Sequence, residues 1–102
     1  DAAVRVWASI EVSRHPEVER LGYFGSYARG DWGVGSDLDL IAIVTTSERP
    51  PMERALDWDL LPLPVPAEIV IYTREEWQSM ADEGRRLVDV VDRECVWVTR
   101  TT

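Results

Sequence analysis

Gly25-Ser26-Tyr27-Ala28-Arg29-Gly30 and, beyond a glycine-rich loop from Asp31 to Gly35, Ser36-Asp37-Leu38-Asp39-Leu40 decide how this chain folds. The first stretch continues Val18 to Phe24, which has the composition of a strand, and makes a short helical turn closed by Gly30. The second opens Asp37 to Val44, rich in Ile and Val and long enough to be a central strand. Side chains alternate along a strand, so Asp37 and Asp39, on either side of Leu38, leave the same face with Cα atoms about 6.5 Å apart. Two carboxylates in that arrangement can converge on one or two hard cations, and an all-oxygen donor set points to Mg²⁺ or Mn²⁺. Alternatively, Asp37 caps a turn and Asp39 is a solvated strand residue.

Working outward, Ala2 to Arg14 reads as a helix with Ala3, Val6, Trp7 and Ile10 on one face, stopped by Pro16. Pro50-Pro51 opens a helix in which Met52, Ala55, Leu56 and Leu60 share a face, and Pro62 ends it. Pro62, Pro64 and Pro66 then make an extended connector or edge, poor in N–H donors. Ala67 to Tyr72 is a second strong strand. Thr73 and Glu76 form a capping box for a helix carrying Trp77, Met80, Ala81, Gly84, Leu87, Val88 and Val91 along one stripe. Cys95 to Thr99 alternates as a last, short strand. The resulting α-β-α-β-α-β-α-β order predicts an α/β (α+β) fold: one mixed sheet of about four strands flanked by helices. With 102 residues and no internal repeat, the whole chain, residues 1–102, is expected to form a single domain.

Three further features gather around the aspartate pair. Glu68 is the lone charge in the apolar stretch Val65 to Tyr72, where a buried carboxylate needs a partner or a metal, unless it faces water from a sheet edge beside Pro66. Gly25-Ser26 lies where strand turns to helix, a place suited to cradling a phosphate, or simply an ordinary turn. Arg29 lies over the same turn as Ser26 and could fork onto phosphate oxygens, or be a solvated surface arginine.

Composition narrows the classes of function. The net charge of -8 disfavours direct nucleic-acid binding, whose affinity comes from neutralising phosphates, and suits a basic partner or solubility. All 11 basic residues are arginine, so any basic side chain that meets a phosphate is an arginine, and a P-loop, which needs its lysine, is excluded. The longest apolar run, Leu40 to Val44, is far short of the roughly 20 residues that span a bilayer, so no membrane role is expected. Asp1 to Ile10 shows no secretory pattern, and the single cysteine, Cys95, excludes an internal disulfide and a cysteine-based zinc cluster. A cytoplasmic setting is expected.

Taken together, the Gly25–Gly30 and Ser36–Leu40 stretches resemble the signature of the DNA polymerase β-like nucleotidyltransferase superfamily. The chain length resembles its smallest branch, the minimal nucleotidyltransferases. The resemblance implies the fold of that superfamily, with Gly25 and Ser26 holding a triphosphate, Arg29 assisting, and Asp37 and Asp39 ligating two Mg²⁺ ions. The third acidic position falls on Glu68, where many relatives carry Asp, as a metal ligand or as base for the acceptor hydroxyl. Relatives of this kind typically act as antitoxins beside a HEPN-domain ribonuclease toxin, moving AMP from ATP onto a toxin tyrosine. The expected partners are therefore a nucleoside triphosphate and a HEPN toxin, with which the chain would assemble. Two other functions fit the same residues: a non-catalytic antitoxin that neutralises a basic partner by contact, and a small-molecule nucleotidyltransferase whose site a partner subunit completes.

Other residues carry blander expectations. His15, before Pro16, is expected at the surface as a helix-terminal residue, and Cys95 as a small core residue of the last strand. Trp7 and Trp77 lie on apolar helix faces and read as core. Trp32, in the polar loop between the two motifs, either stacks on a nucleobase, contacts a partner, or folds back onto the sheet. Arg85 and Arg86 either join the nucleotide site or, as the spacing favours, form a solvated helix face.

Overall fold

The computed structural model describes residues 2–30 and 37–100. Its elements are α1 (Ala2–Arg14), β1 (Val18–Phe24), α2 (Ser26–Arg29), β2 (Leu38–Val44), a 3-10 helix (Pro51–Asp57), β3 (Ala67–Thr73), α3 (Arg74–Asp82), α4 (Arg86–Glu94) and β4 (Val96–Arg100). The four strands form one mixed sheet in the order β3-β2-β1-β4, with β2 parallel to β3 and antiparallel to β1, and β4 antiparallel to β1. This is the expected architecture: β2, the most apolar strand, has neighbours on both sides and six of its seven residues are buried. Among the described residues, no helix is long and apolar enough to cross a membrane.

Alternation along β2 divides the interior in two. Leu38, Leu40, Ala42 and Val44 pack with Ile69 and Ile71 under α1 and the 3-10 helix, where Val4, Trp7, Ala8, Trp58 and Leu63 close the core. Ile41 and Ile43 face the other way, onto Trp77, Val88 and Val91 of α3 and α4. Asp39 shares the parity of Ile41 and Ile43 and lies at the open end of that second face.

Several local expectations need correction. On α1 the buried face is Val4, Trp7, Ala8 and Glu11, leaving Val6 and Ile10 exposed and Ala3 with them. Polar anchoring sets that rotation: Trp7 Nε1 donates to Asp59 O at 2.6 Å, and the buried Glu11 accepts from Asp59 N–H at 3.0 Å and from Arg14. The helix expected after Pro50-Pro51 is a 3-10 helix ending at Asp57, with Met52 and Leu56 outside. Its inward residue is Arg54, whose guanidinium donates to Ile71 O, Arg49 O and both Glu76 carboxylate oxygens. The single helix expected after Thr73 is two, α3 and α4, because Gly84 takes a φ of +69° and turns the chain between them; Ala81 lies exposed. Cys95 follows α4 rather than belonging to the last strand, and its side chain packs on the second core.

His15 is not a surface residue. Its side chain is 12 % exposed and its ring stacks on Trp58 at 4.4 Å, between the carboxylates of Glu11 and Glu17. The capping box forms as expected: Thr73 Oγ1 accepts from Glu76 N–H at 3.1 Å, and Thr73 N–H donates to Glu76 Oε1 at 2.9 Å. Trp7 and Trp77 are both core, and Arg85 and Arg86 are exposed.

Candidate active site

The candidate site lies at the end of the sheet where β1 finishes and β2 and β3 both begin. Antiparallel pairing of β1 with β2 places Phe24 opposite Asp39, and parallel pairing of β2 with β3 places Asp39 opposite Glu68. Opposed residues in a ladder project from the same face, so the two carboxylates stand side by side on the α3/α4 face. Glu68 is on an edge strand and exposed, Asp39 is partly buried, and Asp37 is exposed just before β2 begins. The crossover that makes this possible is anchored close by, where Leu38 N–H donates to Pro66 O at 2.9 Å.

The Gly25-Ser26 turn meets the same carboxylates. Gly25 has φ +78°, a conformation that favours glycine, and a Cβ built there would come within 2.6 Å of Asp39 Oδ2. The sequence folds this way locally because α2 is a single turn. Gly25 O accepts from Arg29 N–H at 3.1 Å, and Gly30, left-handed at φ +79°, returns its N–H to Ser26 O. Arg29 is thereby carried to the far end of that turn, where its Nη1 donates to both carboxylate oxygens of Glu94, at 3.1 and 3.2 Å.

Electrostatics ties these groups together. Asp39 is held above the usual carboxylate range, first by loss of solvent, then by the negative charges of Glu68 and Asp37, while the Arg29 charge pulls it back. Among the described residues, no three His, Cys, Asp or Glu side chains are gathered closely enough to hold a metal ion. The donor chemistry nevertheless suits a hard divalent cation: three carboxylates, two of them in register, with the charges of Glu68 and Asp37 both acting on Asp39. Such mutual repulsion is what a cation relieves.

Each residue expected in the site is accounted for. Gly25 and Asp39 are in close approach, Asp39 and Glu68 are in register, Asp37 leads into β2, and Ser26 and Arg29 begin and end α2. Trp32 and the Asp31 to Gly35 loop lie outside the described residues, as does Ser36. Glu94 escaped the sequence analysis, because 65 residues separate it from Arg29. The one available signal was an acidic residue closing a helix, where the macrodipole disfavours it. On the opposite face of the sheet, a cavity of about 280 Å³ lies beside the turn, lined by Val4, Tyr23, Tyr27, Leu38 and Pro64 among others.

Comparison with known proteins bears on the family and the fold. Residues 8–91 match the family model of a nucleotidyltransferase domain. The fold is similar to that of a Sulfolobus solfataricus protein assigned as a nucleotidyltransferase, with a TM-score of 0.66, 18% identity, and coverage of 97% of this chain and 78% of the other. It is also similar to a chain in the structure of a toxin-antitoxin with AMP-PNP, with a TM-score of 0.57, 18% identity, and coverage of 96% and 74%. The sequence has no match among curated proteins.

Proposed function

The chain belongs to the nucleotidyltransferase domain family, and from that premise we propose that it moves AMP from ATP onto a hydroxyl, the acceptor being a tyrosine of a cognate HEPN-domain toxin. The observation that carries this reading is the row Phe24-Asp39-Glu68 across the sheet, with the Gly25 backbone pressed against the Asp39 carboxylate. It brings a phosphate-cradling turn and a pair of acids to one point. The toxin-antitoxin relative supports the choice of partner.

In this reading Gly25 and Ser26 hold the triphosphate and Arg29 forks onto its oxygens. Asp37, Asp39 and Glu68 would hold Mg²⁺, two ions in all. Bound there, the metal neutralises triphosphate charge and makes the attacking hydroxyl more acidic. In this reading Glu68, exposed beside Asp39, serves as a metal ligand or takes the proton of the acceptor hydroxyl. The acceptor oxygen forms its bond to the α-phosphorus as the bond to the β-phosphate oxygen breaks, and pyrophosphate leaves with the electron pair. Positioning and charge suffice for such a transfer.

A second function is favoured by two observations. The net charge is -8, and among the described residues no three metal-ligating side chains are gathered. Under it the chain neutralises a basic toxin by contact alone. The two are separated by the intact mass of a HEPN toxin incubated with this chain, ATP and Mg²⁺, beside an Asp37→Ala/Asp39→Ala control. Mass gained in steps of one AMP, and lost in the control, supports transfer. A stable complex without added mass supports contact.

A further inference from the structure

Glu94 ends α4 with a carboxylate, although negative charge at a helix C-terminus faces the negative end of the macrodipole. Its setting is nonetheless well defined. Val88 and Val91, two turns and one turn earlier, are buried at 6% and 1% exposure, and Cys95 N–H donates to Val91 O at 2.9 Å to finish the helix. The Glu94 side chain is 21% exposed, held on a helix end that the second core fixes in place. Arg29 is the opposite case. It is a long side chain, 47% exposed, at the end of a helix one turn long, with many rotamers to choose among.

Both oxygens of Glu94 accept from a single nitrogen of Arg29, Nη1, at 3.2 and 3.1 Å. A guanidinium is planar and carries its five N–H donors in a fixed fork, so gripping one corner sets the direction of the others. We propose that Glu94 is a positioning residue of the nucleotide site: it braces Arg29 from the α4 end so that the guanidinium meets the triphosphate in one orientation. This rests on the reading of Arg29 as the phosphate-binding arginine. It goes beyond it in assigning a role to α4, which contributes no other residue to the site described above.

The test is a double-mutant cycle on binding of the non-hydrolysable analogue AMP-PNP with Mg²⁺, measured by calorimetry on the full chain. Wild type, Arg29→Ala, Glu94→Gln and the double variant are compared, with melting temperatures recorded for each. Glu94→Gln is expected to weaken binding about tenfold, and the double variant to bind no more weakly than Arg29→Ala, because Glu94 acts through Arg29. A Glu94→Gln variant that binds as wild type does, or that adds its full factor on top of Arg29→Ala, overturns the proposal. If Glu94→Gln also lowers the melting temperature, Glu94→Asp, which keeps the charge, is expected to recover part of the affinity; equal weakening in both overturns the proposal. A wild-type chain that binds no nucleotide overturns the transferase reading itself, and this role with it.

Discussion

Gly25 and Asp39 are packed so closely that a side chain at 25 would come within 2.6 Å of the Asp39 carboxylate oxygen. Gly25→Ala therefore meets two obstacles. The backbone at φ +78° and ψ -150°, a region essentially confined to glycine, costs an alanine about 1–3 kcal/mol, and the new methyl pushes the carboxylate from its place. Activity is expected to suffer more than stability: kcat/KM for AMP transfer should fall about a hundredfold, while urea unfolding shows only the backbone cost. Equal proportional losses in both would mean that the contact serves folding alone.

Asp39 ionises against its surroundings, so its charge works against the metal-free fold. Burial and the neighbouring Glu68 and Asp37 charges raise its pKa. The folded chain then binds more protons than the unfolded one between the ordinary carboxylate value and the raised one, and stability falls as pH rises through that window. Asp39→Asn is expected to raise the melting temperature at pH 7 by about 2–4 °C without metal, and to abolish transfer. Mg²⁺ with ATP should raise the wild-type melting temperature through ligand linkage and leave the variant unmoved. Differential scanning fluorimetry with and without both ligands measures each effect.

Arg54 and Glu76 give the opposite pH dependence. The Arg54 guanidinium, together with the Thr73 N–H, holds Glu76 below the usual carboxylate range, against the cost of partial burial. That stabilisation is fully present above the unfolded-state pKa and is lost as pH falls through the lowered one. Glu76→Ala strands a buried guanidinium and opens the capping box, at a cost of about 2–3 kcal/mol at pH 7. The urea midpoint of the variant should therefore change less than that of wild type between pH 5 and pH 3.

Glu11, 1% exposed, is a joint between α1 and the segment after the 3-10 helix. Glu11→Ala removes the acceptor of the Asp59 N–H and leaves a cavity, and is expected to cost about 2–4 kcal/mol. Glu11→Gln retains an acceptor oxygen and should cost about 1 kcal/mol. If the two variants unfold at the same denaturant midpoint, the Asp59 bond contributes nothing.

How legible each part was depended on whether its cause was local. The spans of α1 and β1 follow from punctuation by Pro16 and Gly25, and the capping box of Thr73 and Glu76 from four consecutive residues. The Gly-Ser turn and the Asp-x-Asp strand were readable because their chemistry is written in adjacent positions. The face α1 buries was not, because Val6 and Ile10 are as apolar as Val4 and Ala8, and the decision lies with Asp59, 48 residues from Glu11. The inward turn of Arg54 likewise depends on Glu76 and on a carbonyl of β3. Gly84 fitted the apolar stripe by spacing, and only its left-handed backbone shows that the stripe changes helix there. The Glu94–Arg29 pair joins residues whose local sequence names neither partner.

The parallel pairing of β2 with β3 has a consequence for how this site can vary. The polypeptide between Val44 and Ala67 crosses over the α1 side of the sheet, and its length does not determine which residue stands next to Asp39; the ladder does. Insertions in that crossover should leave the carboxylates adjacent, whereas sliding β3 by a single residue would turn Glu68 to the opposite face and present Ala67 or Ile69 instead. Ile69 and Ile71, locked in the core under α1, prevent that slide. Grease on one side of the sheet thus keeps the acids aligned on the other.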